Sequence, residues 1–369
     1  MIKPFRVQVP QADLDDLADR LARSRWPDEL PDAGWDYGIP LARVRELAEH
    51  WRTTYDWREH EAELNRYPQF TTEIDGQNVH FLHVRCADAD ALPLVLTHGW
   101  PGSVVEFLDV LVPLSEQFHL VVPSIPGFGF SGPTRERGWD IDRVARAWAE
   151  LMRRLGYRRY GAQGGDWGTG ISIRLGGIAP EQVVGVHVNY LPTPPPPGWA
   201  GEADLSAPDL ARLARIRQLM AQRHPHQVLY ATRPQTVSYA LNDSPAGQLA
   251  WIAEKFTEWA DPRSAVPTDR ILTDVALYWL TRTTASSARL IRESGLAGPP
   301  PPCPSPIGVA VFAHDITLPI RSFAERTYPI RHWSEFDRGG HFAALEVPDL
   351  FAADVRAFFG QLTGKPTAE

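Results

Sequence analysis

Hydrophobic and polar positions follow two different periodicities along the chain. Apolar positions recur at helical spacing over residues 12–22, 41–51 and 142–155. Short continuous apolar runs of strand length lie at residues 79–85, 92–97, 119–123, 159–163, 183–188 and 307–313. Because helical stretches separate most of these runs, the pattern predicts an α/β fold with a mostly parallel central sheet that is covered by helices on both faces.

Two proline-rich strings, at residues 192–197 and 299–306, interrupt this alternation. Proline favours extended connections that lack hydrogen bonds, so these strings are expected to join parts of the fold. The chain between them is helical in pattern over 210–220, over 245–259 behind the cap residue Ser244, and over 272–280. We therefore predict four segments: an aromatic-rich, mostly helical N-terminal arm (1–75), a first part of the sheet core (76–191), a helical cap above the carboxyl ends of the strands (192–304) and a second part of the core (305–369).

Composition narrows the classes of function. The 369 residues carry a net charge of -8 and no basic stripe, so a nucleic-acid partner is not expected. No apolar run reaches the length of a membrane span and the first residues lack an apolar signal segment, which predicts a soluble, cytoplasmic protein without a membrane partner. The two cysteines, Cys86 and Cys303, lack the neighbouring His or Asp residues of a metal or thiol site, so no metal is expected.

The most informative segment runs from residue 160 to residue 168. It places Asp166 where the sharp strand-to-helix turn of a hydrolase, the nucleophile elbow, normally carries serine, and Gly164 and Gly168 meet the need for small neighbours. A serine there would form an acyl-enzyme, whereas a carboxylate can attack a saturated carbon and form an alkyl-enzyme ester. This chemistry indicates an epoxide or an alkyl halide as the substrate. An ordinary Asp-Gly loop is the alternative interpretation of the string on its own.

Further residues follow in the order that such a hydrolase requires. Residues 97–102 come directly after a predicted strand, where the backbone N–H groups of Trp100 and Trp167 could form an oxyanion hole. Asp315 follows the strand at 307–313, and His341 lies in a glycine-rich segment after it. A histidine can activate water when a carboxylate holds its tautomer, so Asp166, Asp315 and His341 are the predicted catalytic residues.

Taken together, these strings resemble the microsomal-type epoxide hydrolases of the α/β-hydrolase fold, and the resemblance covers nearly the whole chain. The matching strings lie at residues 35–38, 55–58, 67–70, 98–103, 164–168, 241–245, 254–256 and 339–344. The resemblance implies that Asp166 attacks an oxirane carbon, that Asp315 and His341 activate the hydrolytic water, and that a vicinal diol leaves. It implies no cofactor, and it makes a homodimer plausible.

The chain departs from this family at one functional feature. Members generally use two cap tyrosines to donate hydrogen bonds to the epoxide oxygen. Alignment on Thr232-Arg233-Pro234 places His226 at the first tyrosine position, and alignment on residues 286–289 places Ile291 at the second. Both tyrosines are therefore missing.

Some other donor has to replace them, because an alkoxide without a proton is a poor leaving group. His226 occupies the first tyrosine position, Tyr230 lies one helical turn further on, and Tyr239 is a more distant candidate. An ordinary loop role for His226 is the alternative. Trp100, Trp167 and Ile291 are predicted to line an aromatic, apolar substrate pocket, which suits a bulky aromatic epoxide, for example one from secondary metabolism.

Two other functions remain open from the sequence. A haloalkane dehalogenase would use the Trp167 indole N–H beside a leaving halide and would need no oxirane acid. A catalytically inactive hydrolase that only binds a ligand would explain the lost tyrosines. Diol formation from an epoxide, halide release from a bromoalkane, or no turnover of either would separate the three.

Overall fold

The computed structural model describes residues 1–199, 201–222, 225–296 and 301–364. Within this part of the chain, nine strands form one sheet in the order β1-β2-β3-β5-β4-β6-β7-β8-β9. The strands are β1 (Lys3–Phe5), β2 (Gln69–Ile74), β3 (Gln77–Val84), β4 (Leu92–Thr97), β5 (Phe118–Pro123), β6 (Tyr160–Gly164), β7 (Val183–Val188), β8 (Ile307–Phe312) and β9 (Ile330–Phe336). β1, β2 and β3 pair antiparallel, β3 pairs antiparallel with β5, and every later pair is parallel.

The six predicted strands are all present, with ends shifted by no more than a few residues. β5, β6 and β8 are buried along their whole length, as expected for parallel strands with helices on both faces. The sequence did not predict β1, β2 or β9. The arm is therefore less helical than expected, because β1 and β2 extend the sheet at one edge, and β9 closes the other edge.

Helices cover the sheet and fill the region between β7 and β8. The first helices are α1 (Gln11–Ala22), α2 (Leu41–Thr53), α3 (Trp57–Leu64), α4 (Leu108–Ser115), α5 (Ile141–Arg154) and α6 (Trp167–Ile178). Those between β7 and β8, here called the insert helices, are α7 (Ala207–Gln222), α8 (Pro225–Thr232), α9 (Pro234–Asp243), α10 (Pro245–Glu258), α11 (Thr268–Leu280) and α12 (Thr284–Ser294). The last are α13 (Arg321–Thr327), α14 (Ala343–Glu346) and α15 (Pro348–Thr363).

The predicted helices are all found, and α10 begins as expected: the Ser244 side chain accepts a hydrogen bond from the backbone N–H of Gly247, and Pro245 opens the first turn. Residues 299–300, which begin the second proline-rich string, lie outside the described residues. The four segment boundaries stay predictions.

The sheet order brings the candidate residues together. β4 and β6 are neighbours, paired from Leu94 and Gly161 to Thr97 and Gly164. Because the carboxyl ends of parallel strands meet at one edge, the segments after β4 and β6 face each other there, where ligands bind in open α/β sheets.

Candidate active site

The turn that carries Asp166 is sharp and tightly packed. Asp166 joins β6 to α6 with φ +49° and ψ −124°, a conformation that side-chain-bearing residues rarely adopt. A Cβ atom on Gly164 would collide with the carbonyl group of Gly168, and one on Gly168 would collide with the carbonyl oxygen of Thr97. Only glycine fits at both positions, so the turn has the geometry of a nucleophile elbow.

The segment after β4 contacts the Asp166 carboxylate directly. The backbone N–H of Trp100 donates a hydrogen bond of 2.7 Å to Asp166 Oδ1. A Cβ on Gly99 would overlap the Asp166 side chain, which explains the glycine there. The structure thus gives Trp100 the contact expected of an oxyanion-hole donor, whereas it shows no such hydrogen bond from the backbone N–H of Trp167 among the described residues.

His341 lies between the two predicted acids. Its Nδ1 is 2.7 Å from Asp315 Oδ1, and its Nε2 is 3.4 Å from Asp166 Oδ2. Asp315 Oδ1 also accepts a hydrogen bond of 2.7 Å from the backbone N–H of Ile316, which fixes the carboxylate. Asp315 and His341 are 2% and 3% exposed. This arrangement holds the imidazole with Nε2 towards Asp166.

The electrostatics of the site favour a charged histidine in the resting state. Burial would lower the pKa of His341, but the negative charges of Asp315 and Asp166 outweigh it and raise the pKa above its ordinary value. One imidazolium therefore lies between the two carboxylates before any substrate reacts.

The loop that carries His341 is held by the segment after α10. The backbone N–H of His341 donates to the carbonyl of Trp259 at 2.9 Å, and the N–H of Gly339 donates to Asp261 Oδ2 at 3.0 Å. The N–H of Asp261 in turn donates to Glu346 Oε2 at 2.7 Å. No sequence motif predicts these supporting hydrogen bonds.

A cavity of about 310 Å³ opens beside Asp166. Most of its wall is apolar or aromatic, and it is lined by Ile141, Asp166, Trp167, Thr169, Gly170, Ile173, Arg174, Tyr190, Leu191, Pro192, Gln227 and Tyr328. Trp167 is the one member of the predicted pocket on this wall. Because Asp166 forms part of the cavity wall, a substrate bound in the cavity would lie next to its side chain.

Comparison with known proteins agrees with this geometry. Residues 2–107 match the family model described as the epoxide hydrolase N terminus, and residues 93–279 match the model of the alpha/beta hydrolase fold. A Stigmatella aurantiaca protein named as an epoxide hydrolase is 45% identical, with 99% of this chain and 86% of that protein covered. The chain belongs to the microsomal-type epoxide hydrolases of the α/β-hydrolase fold.

Solved structures agree with this assignment. The structure of Aspergillus niger epoxide hydrolase is similar with a TM-score of 0.91 and 35% identity, covering 98% of this chain and 97% of that one. The juvenile hormone epoxide hydrolase from the silkworm Bombyx mori is similar with a TM-score of 0.91 and 30% identity, covering 99% and 95%. The predicted α/β-hydrolase fold is thereby confirmed, and the chain is an enzyme of the epoxide hydrolase family.

The oxirane-acid candidates do not line the cavity of this epoxide hydrolase. His226 is 5% exposed and stacks on the Trp100 ring with centroids 5.1 Å apart. Tyr230 is fully buried, and its hydroxyl accepts a hydrogen bond of 2.6 Å from Trp251 Nε1. Tyr239 is 73% exposed on α9, so the structure argues against it as a donor. His226 and Tyr230 are therefore packed inside the protein, and Tyr239 faces solvent.

The predicted pocket also needs correction at Trp100 and Ile291. The Trp100 side chain is 2% exposed and packs against His226 and Tyr230, and Ile291 on α12 is 4% exposed. Neither lines the cavity that contains Asp166. Sequence reasoning missed Tyr190 and Gln227, which do line it, because no motif marks either position.

In the described part of this epoxide hydrolase, no helix is long and apolar enough to cross a membrane. In the same residues, no group of three or more His, Cys, Asp or Glu side chains is arranged to hold a metal ion. The cytoplasmic location, the homodimer and the lack of a cofactor stay predictions.

Proposed function

We propose that this epoxide hydrolase opens apolar, aromatic epoxides to vicinal diols through a covalent ester on Asp166. Asp166 attacks an oxirane carbon, and the alkyl-enzyme ester is then hydrolysed by a water that His341 deprotonates, with Asp315 holding the imidazole. The observation that carries the proposal is the row of contacts from Asp315 through His341 to Asp166, with distances of 2.7 and 3.4 Å.

The backbone of Trp100 supports the second half of the reaction. Its N–H contacts Asp166 Oδ1 at 2.7 Å, so it can stabilise the oxyanion that forms when water adds to the ester carbonyl. Trp167 follows Asp166 at the start of α6, and we retain its N–H as the second donor once that oxyanion forms. The insert helices would act as the cap over this site.

The cavity wall supports the choice of substrate. Trp167, Tyr190 and Tyr328 provide aromatic surface, and Ile141 and Ile173 provide aliphatic surface. An apolar ring gains most from burial against such a wall. A product of secondary metabolism with an aromatic epoxide fits this description.

A single-turnover reaction in H₂¹⁸O tests the ester. With enzyme in excess over styrene oxide, the first diol should carry the unlabelled oxygen of Asp166, and the label should appear in the peptide that contains Asp166. Direct attack of water would put the label into the diol and overturn the covalent mechanism. Bromide release from a bromoalkane at the rate of diol formation would favour the dehalogenase instead.

A further inference from the structure

The opening of the epoxide needs a proton donor, and the insert helices do not supply it through the two tyrosines that the family generally uses. An alkoxide leaves carbon poorly, and a positioned acid contributes about 10²–10⁴-fold to such a step. His226 and Ile291 stand where the family generally carries tyrosines, and both side chains lie away from the cavity wall that holds Asp166. The donor must come from another element.

Two phenols do line this cavity, Tyr190 and Tyr328. Tyr190 lies against the catalytic histidine, with its ring perpendicular to the His341 imidazole and the centroids 5.1 Å apart. Tyr328 lies after α13, and its charged neighbour is Arg174. Of the two phenols, Tyr190 is the one beside the reacting groups.

The Tyr190 hydroxyl is available. It makes no hydrogen bond to any of the residues that the structure describes, whereas the Tyr278 hydroxyl donates to the carbonyl of Gly102 at 2.9 Å. Burial, together with the charges of Asp315 and Asp166, raises the pKa of Tyr190, so the phenol keeps its proton at neutral pH. A protonated hydroxyl that has no hydrogen-bond partner in the described part of the chain is suited to donate to a ligand.

Tyr190 is also held close to the elbow. Its chain neighbour Asn189 accepts a hydrogen bond of 2.9 Å at Oδ1 from Gln163 Nε2, and the backbone N–H of Asn189 donates to the carbonyl of Gly164 at 3.4 Å. Gly165 leaves the space that the Asn189 amide fills. The end of β7 is thus fixed against the turn that carries the nucleophile, which is the rigidity that a catalytic group needs.

We propose that Tyr190 is the oxirane acid of this enzyme and donates its phenolic proton to the epoxide oxygen from the sheet side of the cavity. The proposal rests on the proposed function, because it requires that Asp166 attacks an epoxide carbon. In this step Asp166 Oδ2 forms a bond to the carbon, the carbon–oxygen bond breaks, and the leaving oxygen takes the proton of Tyr190.

The proton balance closes within the same site. Tyr190 is left as a phenolate after ring opening, and the His341 imidazolium of the resting state gives its proton to this phenolate, which leaves the imidazole neutral. The neutral imidazole then takes a proton from the water that attacks the ester. When the ester breaks, the hydroxyl added to the carbonyl gives its proton to the leaving alkoxide, so that Asp166 is again a carboxylate and His341 is again charged. The sum is one epoxide and one water converted to one diol, with both side chains restored.

The other polar side chains on the wall are weaker candidates. The Gln227 amide can donate a hydrogen bond, but it cannot transfer a proton, because an amide N–H is far too weak an acid. Tyr328 lines the same cavity wall, but its charged neighbour is Arg174. The matched control is Tyr37, a tyrosine of the N-terminal arm that is 81% exposed. Tyr190→Phe and Tyr37→Phe each remove one oxygen atom and leave the aromatic ring in place.

The test measures alkylation of Asp166 alone. In a His341→Gln background, the rate of adduct formation is followed by rapid quenching and intact-protein mass spectrometry, with 1,2-epoxypropane and with 3,3,3-trifluoro-1,2-epoxypropane. The trifluoromethyl group makes the leaving alkoxide less basic at nearly the same size. Thermal unfolding of each variant checks that the fold is retained.

We expect Tyr190→Phe to slow alkylation by 1,2-epoxypropane by about 10²–10⁴-fold. The factor by which it slows alkylation by the trifluoro compound should be at least about tenfold smaller, because a less basic alkoxide needs less help from an acid. The control Tyr37→Phe should change either rate by less than about threefold. A merely structural role of Tyr190 would slow both epoxides equally and would overturn the proposal.

Two other results would also overturn it, and they separate its failure from that of the proposed function. If the His341→Gln protein is alkylated and Tyr190→Phe leaves the rate unchanged, Tyr190 is not the acid and the Asp166 ester stands. If the His341→Gln protein forms no adduct with any epoxide and wild type incorporates ¹⁸O directly into the diol, the ester mechanism fails and the role of Tyr190 falls with it. Loss of alkylation in Gln227→Leu or His226→Ala, with Tyr190→Phe unaffected, would assign the donor to the insert helices.

Discussion

The backbone carbonyl of Trp259 accepts a hydrogen bond of 2.9 Å from the backbone N–H of His341. Trp259 directly follows the insert helix α10, whereas His341 lies on the loop after β9. The Trp259 ring also packs edge-on against the imidazole, with centroids 5.2 Å apart. The insert region therefore helps to position the histidine that we propose as the base, and it also borders the cavity beside Asp166.

Asp261 provides a way to test this positioning. Its Oδ2 accepts the hydrogen bond from the Gly339 N–H, and the side chain is fully buried. Asp261→Ala leaves that N–H without its partner, so we expect the histidine loop to shift and ester hydrolysis to slow by about 10–100-fold, because small displacements of a catalytic group are costly. Alkylation, which does not use the histidine as a base, should change little. Rapid-quench mass spectrometry separates the two rates, and the exposed Asp269→Ala is the control. Equal slowing of both steps would contradict a specific effect on the histidine.

The division of labour between nucleophile and base gives a second prediction. Asp166→Ala should abolish turnover, whereas His341→Gln should let the alkyl-enzyme ester accumulate, because attack needs the carboxylate and hydrolysis needs the base. Intact-protein mass spectrometry would show the added mass of the epoxide on His341→Gln. Normal turnover by this variant would show that another group activates the water.

Asp315 should act through the histidine. Asp315→Asn keeps the size of the side chain but removes the charge that the imidazole Nδ1 contacts at 2.7 Å. We expect ester hydrolysis to slow by about 10⁴-fold with the fold intact, because the histidine loses its orienting carboxylate. Steady-state turnover measures the loss of rate, and circular dichroism checks that the fold is intact. A near-normal rate would move the acid to another residue, with Glu335 and Asp337 as the next candidates.

The charge balance around His341 implies that its pKa changes during the reaction. The carboxylates of Asp315 and Asp166 raise this pKa in the free enzyme, and alkylation removes the charge of Asp166. The pKa of His341 should therefore fall when the ester forms, which converts the imidazole to the neutral form that can accept a proton. NMR titration of labelled histidine should give a lower pKa in Asp166→Ala than in wild type. An unchanged pKa would mean that Asp166 does not control the protonation of the base.

The parts of the fold that the sequence predicted are those with a local signal. β4, β5 and β8 are continuous apolar runs, and the glycines around Asp166 mark the elbow. β9 was missed because it lies at the sheet edge, where none of its residues is fully buried, and because it includes Arg331, His332 and Glu335. β1 was missed because it has three residues and depends on pairing with β2. Short edge strands are set by their partners and carry little pattern of their own.

The proton donor to the epoxide oxygen could not be identified from the sequence either. Alignment identified His226 as the residue at the tyrosine position, but successive residues on a helix point about 100° apart, so packing decides which one faces the cavity. His226 stacks on Trp100, and Gln227 lines the cavity. Tyr190 follows β7 without any motif, and its contact with His341 joins segments far apart in the chain. Only the tertiary structure brings these residues together.

A buried carboxyl group near the site should make the stability of the protein depend on pH. Glu106 is 7% exposed in the short helix that follows the Trp100 segment, and burial raises its pKa from 4.5 to about 8. Below pH 4.5 the folded and unfolded chains both keep the proton on Glu106. Between these two pKa values the unfolded chain releases the proton while the folded chain keeps it, so the contribution of Glu106 to stability is lost as the pH rises.

Glu106→Gln should remove this loss, because the amide resembles the protonated acid in size and carries no charge at any pH. The free energy of unfolding of the variant, relative to wild type, should therefore increase from pH 5 to pH 8 by up to about 1.4 kcal/mol per pH unit. Urea unfolding at several pH values measures it, with the exposed Glu181→Gln as the matched control. A difference between variant and wild type that stays constant over this range would show that Glu106 is ionised in the folded protein, and that a neighbouring positive charge compensates for its burial.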